Sequence, residues 1–191
     1  MTKKKGAALF DALNTLCEMV DHIKTGFFSS KMEDIDNAVK LGANALAKLE
    51  GDLAGLSAEN AANNAEILAI VRTVNDLLLG VCKDMEAKIR GRILFSKKAV
   101  LETSYSLREL RSLFEITADF VKFNDQFAFE LFKEKQSGLE ELRKNFIANH
   151  EARLFEGVCI SNGAAIYLNV LAGISNITMQ LTRLVFIVPV S

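Results

Sequence analysis

The chain has 191 residues, half of them hydrophobic and a quarter charged, with 23 basic and 24 acidic side chains leaving a net charge of −1. That balance excludes a disordered tail, which could not bury enough apolar surface to fold, and it carries no electrostatic footprint for nucleic acid. The length fits one domain, or two small repeats fused around a single core.

The N-terminal run MTKKKGAALFDALN begins as a signal peptide would, but Asp11 and Asn14 interrupt its apolar stretch too early for a hydrophobic leader region. Phe10, Leu13, Leu16, Cys17, Val20, Ile23 and Phe27 then step by three and four, which predicts a first helix broken at Ser29-Ser30. A second stripe runs through Ile35, Val39, Leu46, Leu49 and Leu53 to about Gly55, after which Ser57 is placed to cap a third helix. The third helix carries Ile67, Ile70, Val71, Val74, Leu77, Leu78 and Val81 and stops near Gly91. Lys88, Arg90, Arg92, Lys97 and Lys98 gather around that stop. A solvated helix end, favoured by the helix dipole, accounts for them better than a phosphate-binding patch.

Ser96 is placed to cap a fourth helix with Val100, Leu107, Leu110, Leu113, Phe114, Thr117 and Val121. At Asn124-Asp125 the chain turns into a fifth, with Phe127, Leu131, Phe132, Leu139, Leu142 and Phe146, ending at Gly157. Ser161 or Asn162 caps a sixth, which runs to about Val185, and the one proline, Pro189, lies beyond it. Phe114, Phe120, Phe123, Phe127, Phe129 and Phe132 crowd the turn between the fourth and fifth helices. Helical spacing sends Phe127 and Phe129 to different faces, so one or two of these rings are expected outside the core, where a dimer or partner contact could use them.

From Val158 to Thr182 no residue is charged, a length sufficient to cross a bilayer. Asn169, Asn176, Gln180 and several hydroxyls recur through it, however, and such groups are costly at mid-bilayer without partners. Gly163, Ala164, Ala165, Ala172 and Gly173 suit close helix packing, so the expectation is a central core helix without membrane insertion. The tail from Leu184 to Val190 is too short to span and is either buried or an apolar patch for a partner.

Chemistry is sparse. The cysteines Cys17, Cys82 and Cys159 are odd in number and scattered, which points to a reducing cytosol over a disulfide framework. His22 and His150 are too few for a zinc site and read as structural. No glycine-rich phosphate loop, HExxH or GxSxG occurs, and the carboxylate pairs Glu33-Asp34, Glu115/Asp119 and Glu140-Glu141 read as solvated faces. No enzymatic activity is expected. The periodicity as a whole predicts an all-α single domain over residues 1–191, a six-helix bundle of two antiparallel three-helix repeats. The first repeat covers about 5–91 and the second about 96–186, with both apolar third helices buried.

Several segments carry a family resemblance. His150-Glu-Ala-Arg-Leu-Phe-Glu-Gly-Val-Cys159 resembles the end of the fifth helix and the following turn in PhoU-type domains, most closely those attached to sodium/phosphate cotransporters. Tyr167-Leu-Asn-Val-Leu171 resembles the opening of their last helix, and Arg72-Thr-Val-Asn-Asp-Leu77 resembles the R-x-IND-L of their third. Ser96-x-x-Ala99-x-x-Glu102 resembles the start of their fourth. The resemblance implies a cytoplasmic protein, peripheral to the inner face of the membrane. It would regulate or assist phosphate uptake by contact with a transporter or its sensor, as a homodimer. The family's third and sixth helices carry Glu-x-x-x-Asp pairs that hold metal ions. Here the matching positions are occupied by Leu78 and Cys82, and by Ser175 and Met179, so the expectation is no metal and no cofactor. A soft-metal site built from Cys82 and Met179 is imaginable, but ordinary core packing of both is the simpler reading. Glu134 stands as a remnant of a second-helix acidic position or as a solvated glutamate, while Gly42 and Ser137-Gly138 depart from the pattern. Loss of the ligands leaves a second expectation open, a diverged scaffolding homodimer with no phosphate role.

Overall fold

The computed structural model describes residues 3–54, 61–156 and 161–188. All regular structure among them is helical: α1 (Lys3–Ser29), α2 (Met32–Ala54), α3 (Ala61–Arg90), α4 (Lys97–Phe123), α5 (Gln126–Phe155) and α6 (Ser161–Ile187). The break expected at Gly55, the cap at Ser57, the end of the fifth helix at Gly157, Cys159 and the tail from Pro189 lie outside the described residues, as do the side chains of Ser161 and Asn162.

Each described break has a local cause. Ser30 takes a left-handed backbone (φ 54°) and its N–H donates to Gly26 O at 2.9 Å, closing α1 where the serine pair predicted. After α3, Arg92 is left-handed (φ 48°) and the Ile93 N–H donates to Lys88 O at 2.9 Å. This is the wrap that satisfies the last carbonyls of a helix. Ser96 then caps α4 by accepting the Ala99 N–H. Asn124 ends α4 in the left-handed region, with its N–H on Phe120 O at 2.7 Å. Asp125 starts α5 by accepting the Ala128 N–H at 2.8 Å.

The helices pack into one bundle. α1 lies against α2 and α4, α3 against α2 and α6, and α4 against α5 and α6. A continuous core runs from Ala8 to Val188. The burial pattern repeats along the chain. Every residue buried in α3 from Ile67 to Lys88 has a buried residue 96 positions later in α6, from Gly163 to Leu184. Leu9, Leu13, Leu16 and Val20 of α1 correspond in the same way, 94 positions on, to Thr103, Leu107, Leu110 and Phe114 of α4.

Some expected core positions lie at the surface. Val39, Leu131 and Phe127 are exposed, and Leu142 and Phe146 are half-buried. The cause for α5 is its position: it touches only α4 and α6 and buries only Ala128, Phe132, Leu139 and His150. Of the six phenylalanines around the turn, Phe114, Phe120 and Phe132 are buried, Phe129 is half-buried, and Phe123 and Phe127 remain outside the core. Segment 163–187 is long and apolar enough to cross a membrane, and 44% of its most apolar window is buried within the bundle.

Candidate functional site

The densest buried polar group lies where the N-terminal halves of α4 and α6 meet the C-terminal half of α5. Glu102, on α4, is buried and accepts both arms of the Arg153 guanidinium, at 2.9 and 2.7 Å. The Tyr167 hydroxyl, from α6, donates to the same carboxylate at 2.7 Å. His150, one turn before Arg153 on α5, lies against Tyr167 with ring centroids 4.6 Å apart and ring planes tilted by 40°. Ala99, Tyr167 and Leu171 form a small apolar cluster of their own around this group. Phe95 meets Tyr167 edge-on, and Lys88 lies over both Phe27 and Phe95, at 5.1 and 5.8 Å from the ring centroids.

Three elements supply these side chains for simple reasons. The Ser96 cap fixes the start of α4, so Ala99, Glu102 and Thr103 fall on its inner face one turn in. Three-residue spacing places His150 and Arg153 on one side of α5. Gly163 lets α6 begin close against the turn after α3, since a Cβ there would lie 3.3 Å from Phe95.

The chemistry available is binding and locking. Glu102 receives three charge-assisted or hydroxyl hydrogen bonds and is held in one orientation. Burial, reinforced by the Glu102 carboxylate, pushes the Tyr167 phenol far above its ordinary range. Burial first, and the Arg153 charge second, hold His150 below the ordinary histidine value of 6.5. The bundle therefore prefers neutral His150. Its contribution is fully present above the unfolded pKa of 6.5 and declines as the pH falls below that value, levelling off below the folded pKa. Urea titrations at pH 7.5 and 5.0 are expected to show the wild type losing more stability than His150→Gln, by at most about 1.4 kcal/mol per pH unit. Equal losses would mean the imidazole is solvated.

The remaining sequence-predicted positions are not brought together. Leu78 and Cys82 face the core, whereas Met179 is 52% exposed on the outer face of α6. Burial pushes the Cys82 thiol up to about 12 and that of Cys17 up to about 11, so neither is a thiolate at neutral pH. Ser175 donates its hydroxyl to Glu140 Oε2 at 3.0 Å. The Arg143 guanidinium beside it holds the Glu140 carboxyl below its ordinary range. Glu134 is exposed. Among the described residues no group of three or more His, Cys, Asp or Glu side chains is arranged to hold a metal ion. In the first half, Arg72 pairs with Glu50 across α2 and α3, and Asn75 is buried beneath Gly42.

Sequence reasoning quoted Ser96, Ala99, Glu102, His150, Arg153 and Tyr167 as parts of separate motifs and did not foresee that they meet. No local signal marked them, since α4 buries a second carboxylate, Glu109, and the hydroxyls of Thr103, Ser106 and Thr117 beside its apolar residues. The fold and this cluster define an all-α helical bundle with a locked polar clasp. Comparisons of the chain with family models, with curated proteins and with solved structures give no match.

Proposed function

We propose that this protein is a PhoU-like bundle of two three-helix repeats. It acts without catalysis, at the cytoplasmic face of a membrane, as a regulatory or accessory protein of phosphate uptake through contact with a transporter or its sensor. The observation that supports this reading is the convergence of the clasp. The three motifs of the second half that resemble the family, 51 and 65 residues apart along the chain, supply Glu102, Arg153 and Tyr167 to one hydrogen-bonded group. The recurrence of buried positions between α3 and α6, and between α1 and α4, supports the repeat arrangement.

In the register of that recurrence, Ser175 and Met179 correspond to Leu79 and Lys83 of α3, and Leu78 and Cys82 to Ile174 and Thr178 of α6. Neither pairing contains a carboxylate ligand, which favours a metal-independent role. Purified protein incubated with iron, zinc, manganese and magnesium and then desalted is expected to retain less than one metal ion per chain. Stoichiometric retention would reinstate the family's metal chemistry at other ligands.

The functional reading is tested in the native host by deleting the gene and measuring phosphate uptake under limiting and replete phosphate. Deregulated uptake, restored by the wild-type gene, supports it. Unchanged uptake in both conditions would favour the second reading, a scaffolding homodimer that has left phosphate control, to which the absent carboxylates also point.

A further inference from the structure

α5 is fastened to the bundle in two different ways along its length. Its N-terminal half belongs to the main core, where Ala128, Phe132 and Leu139 are buried and Phe129 packs against it. Lys135 adds an ion pair to the buried Glu109 of α4 at 2.5 Å. Beyond Leu139 the attachment changes. Across residues 140–149, almost three turns, no side chain is buried. The half-buried Phe146 and Ile147 of this stretch pack on the separate small cluster of Ala99, Tyr167 and Leu171, not on the main core. The other described ties are polar or edge-on. The Ser175 hydroxyl donates to Glu140, Tyr105 meets Phe146 edge-on at 6.4 Å, and Arg153 and His150 engage Glu102 and Tyr167.

α2, the second helix of the first half, is held otherwise: Ile35, Ala38, Gly42, Ala45, Leu49 and Leu53 bury an unbroken seam along it. Gly138 stands where the hold on α5 changes. It is exposed, and a Cβ there would touch nothing within 4 Å, so packing gives no reason for a glycine. Its effect is to loosen the helix, which glycine destabilises relative to alanine.

We infer that residues 140–155 of α5 form a latch that swings off α4 and α6 as a unit about Gly138, while the rest of the bundle stays folded. The clasp of Glu102, Arg153 and Tyr167 is its catch. The inference goes beyond the phosphate reading and does not depend on it. A segment opens by itself when few apolar contacts bind it to the remainder, and here the contacts are those of the small cluster. Opening the latch bares that cluster and leaves the main core, with Phe132 and Leu139, intact. The ion pair does not forbid the motion. Both ions return to water when the latch opens, so the hydration they recover offsets much of the attraction they lose. The bundle therefore has two surfaces. Closed, it hides Glu102 and Tyr167; open, it presents a carboxylate and a phenol in an apolar trough between α4 and α6.

Hydrogen exchange of the full chain, followed by mass spectrometry, is expected to show residues 140–155 exchanging as one unit. Their rate should exceed that of the buried parts of α1 and α3 by ~100-fold or more and depend less on urea, since less surface opens. Arg153→Met should speed exchange of the segment by a further ~100-fold or more, because Glu102 is stranded only while the latch is closed. Ala99 is 3% exposed in the small cluster. In a Cys159→Ser background, Ala99→Cys should react with a thiol reagent at the rate of the opening, while the buried Cys17 and Cys82 stay unlabelled. Exchange of residues 140–155 in step with α1 and α3 overturns the latch. So does a gradient that quickens steadily toward Phe155, the mark of end fraying, or an Ala99→Cys thiol as inert as Cys82. Exchange unchanged by Arg153→Met removes the clasp as its catch.

Discussion

Replacing Arg153 with methionine is expected to lower the unfolding free energy by about 3–5 kcal/mol, the cost of stranding one member of a buried ion pair. Both partners are enclosed, with the Arg153 and Glu102 side chains 11% and 7% exposed, so solvent screening does not erode the effect as it would at a surface pair. Without the guanidinium, Glu102 keeps only the Tyr167 hydroxyl among its described hydrogen bonds, too little to compensate a carboxylate out of water. Thermal unfolding followed by circular dichroism should show a fall of roughly 10 °C for a chain of this size. The decisive comparison is the double variant. Adding Glu102→Gln to Arg153→Met removes the orphaned charge and should recover part of the loss, a non-additivity of at least ~1 kcal/mol. Tyr167→Phe, which deletes one hydrogen bond to a charged acceptor, should cost about 1.5–3 kcal/mol. If Arg153→Met costs less than 1 kcal/mol, the clasp is solvated and does not hold α4, α5 and α6 together.

The second large effect is expected at Gly42. In an open helix interior, Gly→Ala stabilises by up to about 1 kcal/mol. Gly51 and Gly138 meet that condition, since a Cβ at either touches nothing within 4 Å. At Gly42 a Cβ would collide with Asn75 Oδ1 and lie 3.0 Å from Met19 Sδ, where α1, α2 and α3 converge. Gly42→Ala should therefore reverse sign and destabilise by about 1–3 kcal/mol, the range for overpacking a filled core. Asn75 Oδ1 has no hydrogen-bond donor among the described residues, so its amide is held there by packing. Shortening it in Gly42→Ala/Asn75→Ala should relieve the collision and restore most of the stability. Urea unfolding of the two single variants and the double measures this directly. A neutral Gly42→Ala would mean that α2 can move away from α3 without loss.

These two sites show how unevenly the sequence exposes its structure. The turn chemistry was legible locally: the serine pair at 29–30, the cap at Ser96 and the Asn124-Asp125 step each act within four residues of themselves. The apolar stripes of α1, α3 and α4 were legible too, because those helices bury most of one side. α5 misled the periodicity. It holds apolar residues on several faces, and only contact with α4 and α6 decided that Phe132 and Leu139 turn inward while Phe127 and Leu131 do not. The clasp was invisible for a related reason. Glu102 and Arg153 lie 51 positions apart, and an isolated charge on a helix carries no local sign that it will be buried and paired.

The residue types at Leu78, Cys82, Ser175 and Met179, the positions that the resemblance matches to metal ligands, were read from the sequence, since side-chain chemistry is a matter of residue type. Their placement was not. The step from 97 positions between those pairs to 96 between the buried faces of α3 and α6 is a single residue, yet on a helix one residue is a rotation of about 100°. That rotation puts Leu78 and Cys82 in the core and Met179 in solvent. The sequence by itself determined six helices, the breaks at 29–30, 91–96 and 124–125, and the scarcity of reactive groups, because hydrogen bonding, capping and residue chemistry act over a few positions. Tertiary structure alone decided which charges are buried together and which apolar face stays open, because those outcomes depend on which helices become neighbours.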